Sequence, residues 1–448
     1  MTLPSHAAAA AQDGDTVLID AGSYVDATNW RANDLVIRGV GGRAHVRDKT
    51  WGGKAIWVIQ GNNATVEYIE FSGARVPDKN GAGIRQEGTH LTLRHCYIHH
   101  NEMGILTSND ANSHILFEYC EFAQNGYGDG YSHNMYINHV GRFTMRFCYS
   151  HDAVIGHNVK SRAHETWLLY NRFDEALGGN TSREIDIPNG GLAVIVGNIL
   201  DHGSNTDNSN LLGFGHEGYT NPRRALFVAN NTFVTARGAG GFVTLPSAPA
   251  DTVLVYNNIF AGRSTALSGA SVFVDTASNI VAREITDAGF RNTSARDFML
   301  LPTSPAIDAA TDAGSVDRIS LTPAQQYAHP SSGNARVQHG KLDCGAYEYL
   351  PPVDVHPELP ALTTALRIVA LTPQPAQDEV TVTVTGCAGD LQLRMVDMSG
   401  KVRLTRTQFS GYGSSARFPL EVGSLPRGLY ILTVDDGRKR ASHPLHVR

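Results

Sequence analysis

The sequence predicts an all-β protein built on a right-handed parallel β-helix, and three observations carry that expectation. One phrase recurs seven times between Leu91 and Phe260: an apolar run, then Cys or Asn two places before a final, usually apolar, residue. The copies follow one another at roughly 23 to 33 residues, the period of a solenoid in which each repeat is one coil. Each coil also holds a second short strand upstream of the phrase, as in GIRQ, GILT, NMYI, NVKS, EIDI, LLGF and FVTL. Val, Ile, Phe, Tyr and Thr dominate these runs of about five to eight residues, which favours strand over helix. Parallel strands joined by such turns wind right-handed by the crossover rule.

The elements follow in chain order. The start, LPSHAAAAAQDGDTVLIDAGSY, is expected to follow a removed signal peptide. Residues 6–12 read as a short Ala-rich helix, and TVLIDAG as the first strand. Such a helix resembles the N-terminal cap that closes the open end of many β-helices and shields their edge. VEYIEF (66–71) is a degenerate first copy of the phrase. The full copies are LTLRHCYI (91–98), ILFEYCEF (115–122), FTMRFCYS (143–150), TWLLYNRF (166–173), VIVGNIL (194–200), LFVANNTF (226–233) and VLVYNNIF (253–260). Cys96, Cys120, Cys148, Asn171, Asn198, Asn231 and Asn258 then stack as one internal column. The Asn amides can bond to one another and to turn backbone, a structural role.

SPAIDAATDAG (304–314) and DCGAYEY (343–349) resemble the closing segment of bacterial β-helix proteins, so the first domain is expected to span 1–350. Pro351, Pro352, Pro357 and Pro360 mark a linker over 351–365. Residues 366–448 alternate as short strands, EVTVTV, LQLRMVDMSG, RFPLEV and LYILTV, the pattern of a small β-sandwich.

Composition narrows the function. The chain has 448 residues, 45 of them Gly, with 18% charged residues and a net charge of -6, so it offers no basic footprint for nucleic acid. No apolar stretch is long enough to span a bilayer, and a monomer is expected. Five cysteines form no disulfide framework; three belong to the column, and Cys344 and Cys387 remain as one candidate pair against the alternative of free, buried thiols.

Aligning the upstream strands on the column turns Met135 and Ile137, Val159 and Ser161, Ile185 and Ile187, and Leu212 and Phe214 inward. Strand alternation then sends their neighbours to solvent. That outward set is Asn134, Tyr136 and Asn138 on one coil, Asn158, Lys160 and Arg162 on the next, and Glu184 and Asp186 on the third. His133 and His157 enter their strands at equivalent positions, and GFGHEGY adds His216 and Glu217 at the rim. The loops AQNGYGDGYS (123–132), DEALGGNTSR (174–183) and DHGSNTDNSN (201–210) can wall an extended groove. An open groove along a solenoid suits a polymer.

Two resemblances sharpen this reading. PQPAQDEVTV (373–382), VDMSGKV (396–402) and LPRGLYILTV (425–434) resemble, in order, the motifs of the C-terminal sorting domain of the type IX secretion system. That likeness implies an extracellular or cell-surface protein, with the secretion machinery as partner and the sandwich as an address. A carbohydrate-binding sandwich using Phe409, Tyr412 and Tyr430 is the alternative. NVKSRAHETWLLYNRF (158–173) is similar to the Lys-Ser strand of polysaccharide lyase family 6, the alginate lyases and chondroitinase B on a pectate-lyase-like solenoid. The resemblance implies that Lys160 is the base. Pro188, Asn189 and Gly190 stand where that family carries Arg-His-Gly, so its acid is absent.

The chemistry also follows from the residue types. In a uronic acid polymer the C5 proton lies α to a carboxylate, so elimination needs a base, an acid for the departing O4, and donors that offset the growing charge. Lys160 is the expected base, Tyr136 the acid, and Arg162 or Asn138 the carboxylate binder. His133 and His157 are alternative bases. Asn134, Asn158, Asp186 and His216 complete the expected substrate contacts. No cofactor is required, although Glu184 and Asp186, with Asp174 or Glu175 nearby, offer the oxygens Ca²⁺ prefers. The expected activity is an exported lyase acting on an acidic, alginate-like polysaccharide. A C5-epimerase shares the first proton abstraction, and a glycoside hydrolase or a non-catalytic glycan binder is the third alternative.

Overall fold

A computed structural model describes residues 3–176, 178–351, 366–386, 390–409, 415–436 and 439–448. The chain divides into two compact units, Met1–Pro351 and Pro352–Arg448. The expected linker at 351–365 lies, from 352 onward, outside the described residues.

The first unit is a parallel β-helix. Ten short strands, one per coil, form a single parallel sheet running from Thr28–Trp30 to Thr265–Ser268. It includes every upstream strand expected from sequence, among them Met103–Leu106, Met135–Ile137, His157–Ser161, Arg183–Ile187, Leu212–Phe214 and Gly241–Thr244. The remaining faces form a 20-stranded sheet.

The repeated phrase proves to be two strands, not one. LTLRHCYI divides into Leu91–Arg94 and Tyr97–His99, with His95 between them at φ 55°. Tyr119, Phe147, Tyr170, Asn230 and Asn257 take the same left-handed conformation at φ 54–58°. Each phrase therefore turns a corner of the coil. Its Cys or Asn follows that corner and points inward.

The column forms as a buried ladder. Nδ2 of Asn171, Asn198 and Asn231 each donates to Oδ1 of the next Asn at 3.0 Å, and Asn258 extends the series to Asn279. Each carbonyl oxygen also accepts the preceding Asn's backbone N–H at 2.9 Å. An amide, with two donors and one acceptor oxygen, satisfies the corner backbone that apolar side chains would leave unpaired. Cys96, Cys120 and Cys148 occupy the same level with buried free thiols. Cys344 is also buried and free, its Sγ 2.9 Å from the Ser278 carbonyl, while Cys387 lies outside the described residues.

The cap helix spans Pro4–Ala10, beginning earlier than residue 6 because Pro4 suits the first turn, where no N–H is required. Ala7, Ala8 and Ala11 pack on the core at the open end. The second unit holds antiparallel sheets of three and four strands over one apolar core. Arg367–Thr372, Val402–Phe409 and Arg440–Val447 join the four strands read from sequence.

Candidate functional site

The inward set lies inside: Met135, Ile137, Val159, Ile185, Ile187, Leu212 and Phe214 belong to the core, and Ser161 is buried against the Thr166 hydroxyl. Register then aligns Tyr136 with Lys160, Lys160 with Asp186, and Asp186 with Gly213. Adjacent rungs lie about 4.8 Å apart, so these positions form one row across four coils. Gly213 adds no side chain over Asp186; a Cβ there would come within 3.1–3.3 Å of His216, Asp186 and Arg183.

Arg162 follows the Lys160 strand and is held from several sides. Its Nε donates to the Tyr136 hydroxyl at 2.7 Å, Nη1 donates to Asn189 Oδ1, and Nη2 donates to Glu217 Oε2 at 2.5 Å. Lys160 Nζ donates to Glu217 Oε1 at 3.0 Å and lies 3.4 Å from Asp186 Oδ2. One carboxylate therefore sits astride the amine and the guanidinium. Lys160 and Arg162 are 12% and 14% exposed in their side chains, whereas Glu217 is 46% exposed. The two cations are shielded by their walls, and the anion between them faces solvent.

Asp186 is fixed beneath this pair. Arg183 Nη1 donates to it at 2.8 Å, and His157 Nε2 lies 3.5 Å away. His216 stands at the rim with Nε2 3.0 Å from Thr244 Oγ1; burial and the Arg183 guanidinium hold its imidazole below the ordinary histidine range. Asn138 borders the row, but its Oδ1 is turned to the backbone N–H and ring of His139, both at 2.9 Å.

Several expected groove residues lie inside instead. Asn134 lies just before its strand, Asn158 and Glu184 are the second residues of theirs, and all three are buried next to a buried neighbour, so alternation does not hold at these strand starts. They form a second buried ladder: Asn125 donates to Asn134 at 2.9 Å, Asn134 to Asn158 at 2.8 Å, and Asn158 to Glu184 at 2.5 Å. Asn134 and Asn158 are thus corrected from substrate contacts to scaffold. Glu184 bonds His202 at 3.0 Å, whereas Asp186 faces Arg183 and Lys160, so these two carboxylates do not share one calcium site. Burial, with the charges of Asp174 and Asp201, pushes Glu184 up to about 8.

His133 is also corrected. It is 1% exposed, stacks on His157 at 4.8 Å, and accepts the His157 backbone N–H at its Nδ1. Burial keeps both imidazoles well below the usual range and therefore neutral. His133 supports the stack, and His157 backs Asp186.

The sequence places Glu217 at the rim but signals neither its bridge between the two cations nor the contact of Asn189 with Arg162, and two aromatics beside the row are further additions. A recess of about 250 Å³ beside Tyr136 is lined by Tyr131, Asp129, Lys79 and Met103. Tyr131 is 84% exposed at its edge, and Lys79 Nζ lies 4.5 Å above the Tyr127 ring. The repeated Gly-Tyr in GYGDGY was the available signal. A larger recess of about 450 Å³ lies under the cap helix, away from these side chains.

Comparison with known proteins agrees with this architecture. Residues 21–175 match the family described as right handed beta helix region, and residues 370–448 match the secretion system C-terminal sorting domain. No curated protein matches the sequence. The crystal structure of pectate lyase Pel9A is similar over 77% of this chain and 90% of its own, with a TM-score of 0.51 and 14% identity, a likeness of fold. Among the described residues no helix is long and apolar enough to cross a membrane. The chain is thus a right-handed parallel β-helix protein that carries a type IX secretion sorting domain, which marks it as secreted or cell-surface.

Proposed function

We propose that this protein is an exported polysaccharide lyase that cleaves a uronate-containing, alginate-like polymer by C5 proton abstraction and β-elimination. The observation that carries the reading is Glu217: its carboxylate accepts from both Lys160 and Arg162, so Arg162 already has the position and charge to hold a carboxylate beside the Lys160 amine. A uronate entering the groove takes that place, and Glu217 swings to solvent. Arg162, braced by Asn189 and Tyr136, then offsets the charge that develops on the carboxylate as C5 loses its proton.

Lys160 serves as the base in its neutral form: its ammonium first releases a proton to solvent, Arg162 holds the substrate carboxylate, and the free amine then takes the C5 proton. Tyr136 accepts from Arg162 Nε, which leaves its own O–H proton free for a different acceptor. That acceptor is the departing O4, and the neighbouring guanidinium stabilises the phenolate that remains. Asp186 and Arg183 hold Lys160 in place from the next rung. Tyr131 and Tyr127 supply ring faces for flanking sugars.

The test is incubation with a panel of acidic polysaccharides, followed by absorbance of 4,5-unsaturated ends and by proton NMR of the polymer. Unsaturated ends support the lyase. Altered uronate composition without cleavage means C5-epimerase, and new reducing ends without unsaturation mean hydrolase.

A further inference from the structure

On a different face of the coil, three side chains meet on consecutive rungs. His45 in Val36–Arg47 pairs in register with Glu70 in Ile69–Ser72, and Ser72 pairs with His99 in Tyr97–His99. Their inward neighbours Ala44, Val46, Ile69, Phe71 and Ile98 fill the core, which fixes all three backbones. The side chains are 25%, 24% and 14% exposed, shielded yet open to solvent.

Their polar atoms converge. His45 Nδ1 is 3.4 Å from Glu70 Oε1, and His99 Nε2 is 3.1 Å from the same oxygen. All three candidate ligand atoms lie within 4.8 Å of one another. Bonds of about 2.0–2.2 Å to a tetrahedral ion place its ligand atoms about 3.3–3.6 Å apart. The observed separations need only a small adjustment.

The outer nitrogens are engaged as well. His45 Nε2 lies 2.7 Å from Ser72 Oγ, and His99 Nδ1 lies 2.8 Å from His100 Nδ1. An imidazole that donates outward from one nitrogen presents a lone pair at the other, and such second contacts set the tautomer of ligating histidines. With the outer nitrogens donating, two lone pairs and a carboxylate face one point, an arrangement that a cation relieves; in the other tautomer of His99, Nε2 donates to Glu70 Oε1. Arg43 is directed elsewhere, bonding the His95 carbonyl at 3.1 Å and lying over the Tyr97 ring at 5.5 Å.

We propose that His45, Glu70 and His99 bind a first-row divalent ion of the imidazole-preferring class, such as Zn²⁺, with water at the fourth position. The ion ties three successive coils together outside the polysaccharide groove. The site is independent of the proposed lyase reaction.

The experiment titrates the chelator-stripped, full-length protein with Zn²⁺ by calorimetry and with Co²⁺ by visible absorption. One ion per chain, a tetrahedral Co²⁺ spectrum, and a rise of several degrees in Tm with Zn²⁺ are expected. His45→Ala and His99→Ala should each weaken binding at least tenfold and remove the Tm response. Glu70→Gln, which keeps the side-chain shape, should weaken binding with unchanged far-ultraviolet circular dichroism. No binding by the parent protein overturns the proposal, as does binding that survives unchanged in both histidine variants.

Discussion

Glu217→Gln separates a carboxylate stand-in from a catalytic group. The Glu217 carboxylate accepts from Lys160 at 3.0 Å and Arg162 at 2.5 Å, with 46% of its side chain exposed. Ion pairs at such exposure contribute about 0.2–1 kcal/mol each. Together they set roughly 0.5–2 kcal/mol against any substrate carboxylate that must displace them. Replacing the charge by a neutral amide of the same shape removes most of that competition. Since about 1.4 kcal/mol is tenfold in an equilibrium constant, KM should fall roughly three- to tenfold at low salt, with kcat within about twofold and Tm nearly unchanged. Initial rates of unsaturated-end formation over a range of polymer concentrations measure both constants. A kcat loss of about a hundredfold at constant KM would place Glu217 in the chemistry and refute the stand-in reading. A rise in KM would make it a substrate ligand instead.

Further outcomes follow from the same geometry. Lys160→Ala and Tyr136→Phe should each lower kcat by about 10²- to 10⁴-fold, the usual span for a lost general base or acid, with an unchanged circular dichroism spectrum. Asn198→Ala strips acceptors from the Asn171 backbone and side-chain amides and a donor from the Leu168 carbonyl, all buried. At about 1–3 kcal/mol for each of these three orphaned groups, urea unfolding should show a loss of roughly 3–9 kcal/mol. Glu184, raised to about 8 from an unfolded value near 4.5, contributes stability that is complete below the lower value and lost as pH rises through the upper one. The Tm difference between the parent and Glu184→Gln should therefore shift against the parent between pH 5 and pH 8.

The solenoid was legible because its period is visible in sequence and because alternation within a short strand is strict. Met135, Val159 and Ile185 face inward for that reason, and Tyr136, Lys160 and Asp186 consequently align on the outer row. Strand starts escaped the same logic. Asn134, Asn158 and Glu184 stand at or just before the start of their strands, and their place in a ladder depends on partners on other rungs. The phrase itself looked continuous because a left-handed His95 or Tyr119 leaves no composition signal as a glycine would. Glu217 reaches cations 57 and 55 residues away through a turn, a contact that no local pattern encodes. His45, Glu70 and His99 were hidden because two of the three coils concerned lack a full copy of the phrase that sets the register.

The central claim is that Arg162, beside Lys160, recognises the carboxylate of the sugar being cleaved. It is tested most directly by measuring, by calorimetry, the affinity of the Tyr136→Phe protein for one susceptible polyuronate and for its carboxyl-reduced counterpart, matched in length. The account predicts tight binding of the acidic polymer and weak binding of the neutral one, with Arg162→Ala removing the difference. Equal binding of both polymers would contradict it.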